Sequence, residues 1–499
     1  MAGFSRGVVC AAVLAATTAG AAPVLIVNED NDHFFKYPTE QMTVEEINAY
    51  ADRLCESGAT HIFWCCCGQR ASFASKAWEP IWTDLGDKVR NSPARHIWAV
   101  NAKKLSDAGI DPYALWLARC RVRGVSPWIS MRMNDCHHTN KTNYFRNTWF
   151  WRTNEHLRVS AAYDTNWSQN ALDFAHPEVR AYAMGMVREV LSRWDLDGIE
   201  LDFTRATVYF KANEAREKAP LMTEFVREAR RLANAAAARL GHPVGVAVRV
   251  NFSPEAVFGS GLSVDVWAKE GLVDMVCPSA SVPGNDFQMP FKAWRDLLAA
   301  ANPNVLFYPG IDVLSMTSLS VRGGLADTAT CRGWAANMYG QGAKGIYLFN
   351  AIYAERFENA KDMLSRGTVD PATLNRGKRR FIGMRRYPRV KKDPRASYAQ
   401  LLLPENGPLA AERATLTVGF VGKTDTSALR LTVNGKPLET ARGPLPSVLP
   451  FGLKPRRQSP YADGFACEVP VSALLSGTNT VDFAGLSGEP PCWLDLLVE

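Results

Sequence analysis

The chain has 499 residues, 47% of them apolar and 21% charged. It is too long for one ordinary core and too apolar to be disordered, so one large globular domain and one smaller domain are expected. The net charge of +7 is not a basic face, because ten Lys or Arg against one Asp fall between Arg376 and Arg395 and the rest nearly balances. With no nucleic-acid motif either, no nucleic-acid partner is expected.

Residues 1–22 read as a signal peptide. Arg6 supplies the positive charge, Gly7 to Ala16 an apolar run, and Thr18-Ala19-Gly20-Ala21-Ala22 a small-residue cleavage site. The run is too short to cross a bilayer, and no later stretch reaches the roughly 20 apolar residues a span needs. The expectation is an exported chain, periplasmic or extracellular, with no membrane span.

From 23 to 367, eight strand patterns alternate with helical ones. The strands are Val24–Asn28, His61–Cys67, Ser126–Met133, Gly198–Phe203, Val244–Val250, Val273–Cys277, Val305–Ile311 and Gly345–Asn350. Thr43-Val44-Glu45-Glu46 is a capping box that opens a helix ended by Gly58. Asp111-Pro112 and His176-Pro177 open two more, and Gly241 closes a long one over 215–240. Eight βα repeats in order predict an α/β fold of the (β/α)8 TIM-barrel type. No GxGxxG follows the first strand, so no dinucleotide cofactor is expected.

The basic stretch 368–399 reads as a linker. From 400 to 499 helical periodicity disappears, strands such as Ala414–Phe420 alternate, and Asn434-Gly435 marks a hairpin. A small all-β sandwich domain is expected there. The cysteines show no CxxC and no second ligand cluster, so no metal is expected, and the consecutive Cys65, Cys66 and Cys67 read as buried thiols. Cys467 and Cys492 are left open as a pair.

Barrel enzymes work at the C-terminal ends of their strands. On the fourth, Ile199, Leu201 and Phe203 should face the helices, which turns Gly198, Glu200 and Asp202 to the axis. Two inward carboxylates are costly unless paired, hydrogen-bonded or neutralised. On the third strand Trp128, Ser130, Arg132 and Asn134 share the inward parity, and on the fifth Gly245, Ala247, Arg249 and Asn251. Arg132 and Arg249 can therefore reach the same axial space as Glu200 and Asp202, and at least one of them is expected to pair with one of those carboxylates. Asp312 and Asn350 end the seventh and eighth strands, Asn28, Glu29 and Asp30 the first, and Asp286 lies after the sixth. The long loop over 135–176 is rich in aromatics, Trp151 among them, which suit stacking on sugar rings or a private core under the loop.

The run DGIELDF with its following Arg205 resembles the fourth-strand signature of uncharacterised bacterial glycoside-hydrolase-like barrels. It also resembles the chitinase-type family 18 signature DGxDxDxE, matching at Asp197, Gly198, Glu200 and Asp202, with Thr204 in place of the acidic Glu. A carboxylate ending the fourth strand is similar to the nucleophile of retaining α-galactosidase-like barrels. LTVNGKPLE and VPVSALLSGTNTVDF look like β-sandwiches appended to glycoside hydrolases.

The expected function is a secreted glycoside hydrolase with a two-carboxylate mechanism on an oligo- or polysaccharide. Asp202 is the expected nucleophile or base, and Asp312 or Glu200 the acid, with Asp286 a third choice. Arg132, Asn134, Arg205, Arg249, Asn251, Asn350 and Trp151 are expected to bind substrate. The rival is a carbohydrate-binding barrel without catalysis, which Thr204 favours. A deacetylase or esterase lacks a GxSxG elbow or metal triad here.

Overall fold

The computed structural model describes residues 23–499 apart from 87–95, 140, 142–143, 161–169, 280–286, 288, 313–327, 351–369, 372, 375–376, 385–397, 405–408, 421–422, 440–441, 444–462, 486–490 and 492. Residues 1–22, expected to be a signal peptide, lie outside the described residues, as do Asp286 and Cys492.

The eight expected staves are present and parallel: β1 (Val24–Glu29), β2 (His61–Cys67), β3 (Ser126–Arg132), β4 (Gly198–Asp202), β5 (Gly245–Asn251), β6 (Met275–Ser279), β7 (Leu306–Phe307) with β8 (Gly310–Asp312), and β9 (Gly345–Phe349). Neighbours pair in chain order, β5 pairs with β6, and β9 pairs back onto β1, so the sheet closes into a barrel. The seventh stave is broken in two because Pro309 has no N–H for the ladder.

Local signals formed the expected helices. Thr43 Oγ1 accepts from Glu46 N at 3.2 Å, and the helix Val44–Glu56 buries Ile47, Tyr50, Ala51 and Leu54. Pro112 and Pro177 start the helices Pro112–Val122 and Pro177–Arg193. Gly241 takes φ 78° to end Ala215–Leu240.

The inward residues of the staves form their own core: Ile26, Phe63, Trp128, Ala247, Met275, Cys277, Tyr308, Tyr347 and Phe349. Trp128 fills the barrel floor, stacked on Phe63 with centroids 4.9 Å apart. A Cβ on Gly198 would lie 2.2 Å from the indole, and one on Gly245 2.5 Å. Both glycines therefore make room for Trp128 directly below Glu200.

Two four-stranded antiparallel sheets follow. The first is β10 (Arg379–Met384), β17 (Trp493–Val498), β12 (Ala414–Phe420) and β15 (Asp463–Glu468). The second is β11 (Tyr398–Leu402), β16 (Thr478–Ala484), β13 (Arg430–Val433) and β14 (Lys436–Pro437). Their inner faces form a separate apolar cluster, and Asn434 and Gly435 both take positive φ in the hairpin.

The linker expectation for 368–399 needs correction. Arg379–Met384 pairs along its length with β17. Its alternation serves two cores: Phe381 enters the sandwich and Ile382 the barrel cluster. Arg380 is paired with Asp495, so its charge is neutralised in the fold. The helix Thr328–Gly340 packs on this strand so closely that a Cβ on Gly333 would lie 2.0 Å from the Arg380 carbonyl oxygen. Asn337 adds a bond to Leu402 O at 2.6 Å. The barrel and sandwich thus share an interface.

Candidate active site

Strand pairing sets out two rows across the axis. The lower row aligns Ser130, Glu200 and Ala247, and the upper Arg132, Asp202 and Arg249. Glu200 is 0% exposed and Asp202 1%, as the alternation of their apolar neighbours predicts.

Glu200 Oε1 accepts from Ser130 Oγ at 2.6 Å, Tyr347 Oη at 3.0 Å and Asn28 Nδ2 at 3.1 Å. Its Oε2 is buried without a partner among the described residues. Burial, then the nearby Asp202 carboxylate, pushes its pKa from 4.5 up to about 7, against the opposing pull of Arg249 and the hydrogen bonds. Glu200 therefore carries a proton for much of the time at neutral pH.

Asp202 is held differently. Oδ1 accepts from the backbone N of Thr204 at 2.8 Å and from its hydroxyl at 2.6 Å, and Oδ2 pairs with Arg249 at 3.2 Å. Arg249 also bonds Ser279 Oγ and lies over the Phe349 ring, 3.8 Å from its centroid. Gly310 leaves room for that serine, since a Cβ there would sit 2.2 Å from Ser279 Oγ.

Of the two inward arginines, Arg249 is the one that pairs with a fourth-strand carboxylate, and Arg132 turns elsewhere. It bridges Asp30, just after β1, and Asp135, at 2.8 Å. Two ionised acids nearer its tip outcompete Asp202, which is already tied to Arg249 and Thr204. Beyond Asp135 the chain of contacts runs through His137, whose Nε2 lies 3.2 Å from Arg205. Burial raises the Asp135 carboxyl, but His137 and Arg132 outweigh it and hold it well below the usual range. Arg205 is half-buried, makes no ion pair among the described residues, and sits over the same Phe349 ring at 5.1 Å. This Asp135–His137–Arg205 chain was missed in the sequence. The signal was available in Asp135 and His137 alternating just past the mouth end of β3.

Asp312 Oδ1 accepts from Asn350 Nδ2 at 3.1 Å, and both residues are 5% exposed. Asn350 takes φ 58°, an uncommon backbone for a non-glycine residue, at the end of β9. Asn251 is half-buried and accepts from Ser253 N, capping the turn into the helix Pro254–Gly259.

Two expected substrate contacts go elsewhere. Asn134 donates to Leu172 O and Val208 O, both at 2.9 Å, and accepts from Leu172 N at 3.2 Å. All its bonds fasten loops, because the strand has ended and the residue no longer lies on the axis. Trp151 is 5% exposed, donates to Asn170 O and lies under the Arg158 guanidinium, so it belongs to a core beneath the loop. Phe150 stacks on Tyr182, whereas Trp149 is 49% exposed.

A cavity lined by Gln69, Asp135, Trp151 and Tyr182, among others, lies off the axis beneath the same loop. Its water-accessible space of about 30 Å³ admits water but no sugar ring. Neither Glu200 nor Asp202 lines it, so the axial site is the better candidate. Asp30, Asp32 and His33 bring ligand atoms within 4.8 Å of one another. They are already committed to Arg132, Lys36 and Glu29 respectively, so no metal is assigned to them.

The geometry defines a closed (β/α)8 barrel with buried acids and arginines at one end of its axis. No protein-family model and no curated protein matches the chain. Solved structures do resemble it. Alpha-L-fucosidase isoenzyme 2 from Paenibacillus thiaminolyticus is 12% identical at a TM-score of 0.42, covering 70% of this chain and 49% of that one. The glycoside hydrolase domain of PgaB (BpsB) from Bordetella bronchiseptica is 11% identical at 0.43, covering 69% and 99%. The GH36 alpha-galactosidase AgaA from Geobacillus stearothermophilus is 12% identical at 0.36, covering 93% and 55%. The chain spans about half the length of the fucosidase and of the galactosidase.

Proposed function

We propose that the chain is a glycoside hydrolase acting on an oligo- or polysaccharide, exported by residues 1–22. Glu200 is the proton-holding carboxyl, and Asp202, fixed by Arg249, is the nucleophile or base. The observation that carries this reading is the axial pair itself: two carboxyls on one strand, one pushed to about 7 by burial and by its neighbour. Divergent environments on two acids are how one site supplies both a proton donor and an ionised group. Asp312 is the alternative donor. Among the described residues, buried acceptors without partners on Asn28 and Asn350, the Glu200 Oε2 that would carry the proton, and donors without partners on Arg132 and Arg205 suit hydroxyl groups, which both give and accept hydrogen bonds.

The test is a turnover screen on a broad set of glycans, with Glu200→Gln and Asp202→Asn as controls. Turnover that both variants abolish is the expected result. A second reading, a sugar-binding barrel without catalysis, is favoured by the engagement of both Asp202 oxygens, Oδ1 by Thr204 and Oδ2 by Arg249. Binding measured by calorimetry without turnover on any glycan would overturn the hydrolase reading in its favour.

A further inference from the structure

Away from the mouth, two barrel helices meet through a pair of thiols. Cys55 lies in the last turn of the helix Val44–Glu56, and Cys120 in the helix Pro112–Val122. Their sulfurs are 3.9 Å apart. Cys55 is half-buried and reachable from solvent, whereas Cys120 is buried.

The surroundings favour reaction at Cys55. Hydrogen bonding to Cys120 lowers its pKa, burial opposes this, and the guanidinium groups of Arg123 and Arg119 lower it further. Those arginines are anchored, Arg119 on Asp52 at 2.7 Å and Arg123 on Glu56 at 2.6 Å. The thiol of Cys120 is raised by its bond to Cys55 and by burial. One partly exposed thiol near fixed cations, with a second thiol beside it, is the arrangement of a dithiol prone to oxidation. Other described thiols differ. Cys65, Cys66 and Cys67 are buried in β2, and burial raises Cys65 and Cys66.

We propose that Cys55 and Cys120 are an oxidation site, with Cys55 the attacking thiol and Cys120 the resolving one, that closes to a disulfide tying the helices flanking β2. The co-reactant is a low-molecular-weight or protein disulfide. The Cys55 thiolate attacks one of its sulfurs, giving a mixed disulfide and releasing one thiolate. The Cys120 thiol then loses its proton and attacks the Cys55 sulfur, releasing the second. Two protein thiols are oxidised and one disulfide is reduced to two thiols. The sulfurs must approach by about 2 Å to reach bonding distance. Side-chain rotation of Cys55 is the cheapest source of that movement, because its surroundings are the less packed.

The experiment incubates the full chain with oxidised glutathione at mildly alkaline pH and counts free thiols after denaturation. Wild type should lose two thiols, keep no glutathione, and gain several degrees of Tm that dithiothreitol reverses. Cys55→Ala should lose none. Cys120→Ala should stop at one glutathione per chain, because the resolving thiol is gone. No thiol loss in wild type, a stable glutathione adduct on it, or a two-thiol loss in Cys55→Ala would overturn the proposal. Should Cys120→Ala fail to fold, Cys55→Ala alone decides, since Cys55 is only half-buried.

Discussion

Arg249 and Asp202 form an ion pair of which each side chain is 1% exposed, and the arginine stands on the face of Phe349. The pair is sealed from water, so removing either partner leaves an uncompensated charge in the barrel. Truncating one half of such a pair commonly costs about 3–5 kcal/mol. Its neighbour Glu200 shares the same space and is pulled down by the same arginine.

Asp202→Asn keeps the shape and an acceptor for Thr204 but loses the charge. Turnover on a processed glycan should fall by about 10²–10⁴ while circular dichroism stays native. Retention of more than about a tenth of wild-type turnover would remove Asp202 from the chemistry.

Arg249→Met and Arg132→Met should part company in their pH profiles. If Glu200 must be protonated to act, activity declines as pH rises through about 7. Arg249 lowers the Glu200 pKa, so its loss should carry that alkaline limb to higher pH. Arg132 is occupied by Asp30 and Asp135, and its loss should leave the limb in place. Equal movement in both variants, or none in Arg249→Met, contradicts the pairing.

Glu200→Gln should stabilise the chain at pH 8 and not at pH 4. The folded pKa lies above its ordinary value of 4.5, at about 7. In the unfolded chain Glu200 ionises near 4.5, while the folded site keeps its proton. The penalty is thus absent below 4.5, grows between 4.5 and about 7, and is complete above. At pH 8 it is roughly 3 kcal/mol, at about 1.4 kcal/mol for each pKa unit. Denaturant melts of both proteins at the two pH values measure it, and an equal difference at both would contradict the shift.

Gly198→Ala should destabilise the barrel by about 1–3 kcal/mol or prevent folding, because its Cβ would meet Trp128 at 2.2 Å. Trp128→Leu in the same chain should recover part of the loss. Additive destabilisation in the double-mutant cycle would show that the indole is not what requires the glycine.

A chain ending near residue 370 should be less soluble and melt earlier than the whole protein. It lacks Ile382 and uncovers the face of Thr328–Gly340 that carries Gly333. Gly333→Leu in the full chain should loosen the same interface, read as earlier proteolysis of the sandwich. A truncated barrel with unchanged Tm would mean the contact contributes little.

The sequence by itself determined the eight staves, their helices, the sandwich hairpin and the inward parity of Glu200, Asp202 and Arg249. These follow from local rules: a side-chain period of two in strands, caps and glycines at helix ends, and turn chemistry at Asn434-Gly435. Tertiary structure alone decided who meets whom. Arg132 shares parity with Asp202 yet takes Asp30, about a hundred positions away, because a side chain bonds to the nearest charge in space. Asn134 fits the inward pattern of β3, but the strand stops at Arg132, so its amide fastens Leu172 and Val208. Arg379 and Arg380 read as solvated charge until β17 lies beside them and Asp495 neutralises one of them. The raised pKa of Glu200 belongs to the same class: burial and a neighbouring carboxylate are properties of the assembled barrel, and no residue carries them alone.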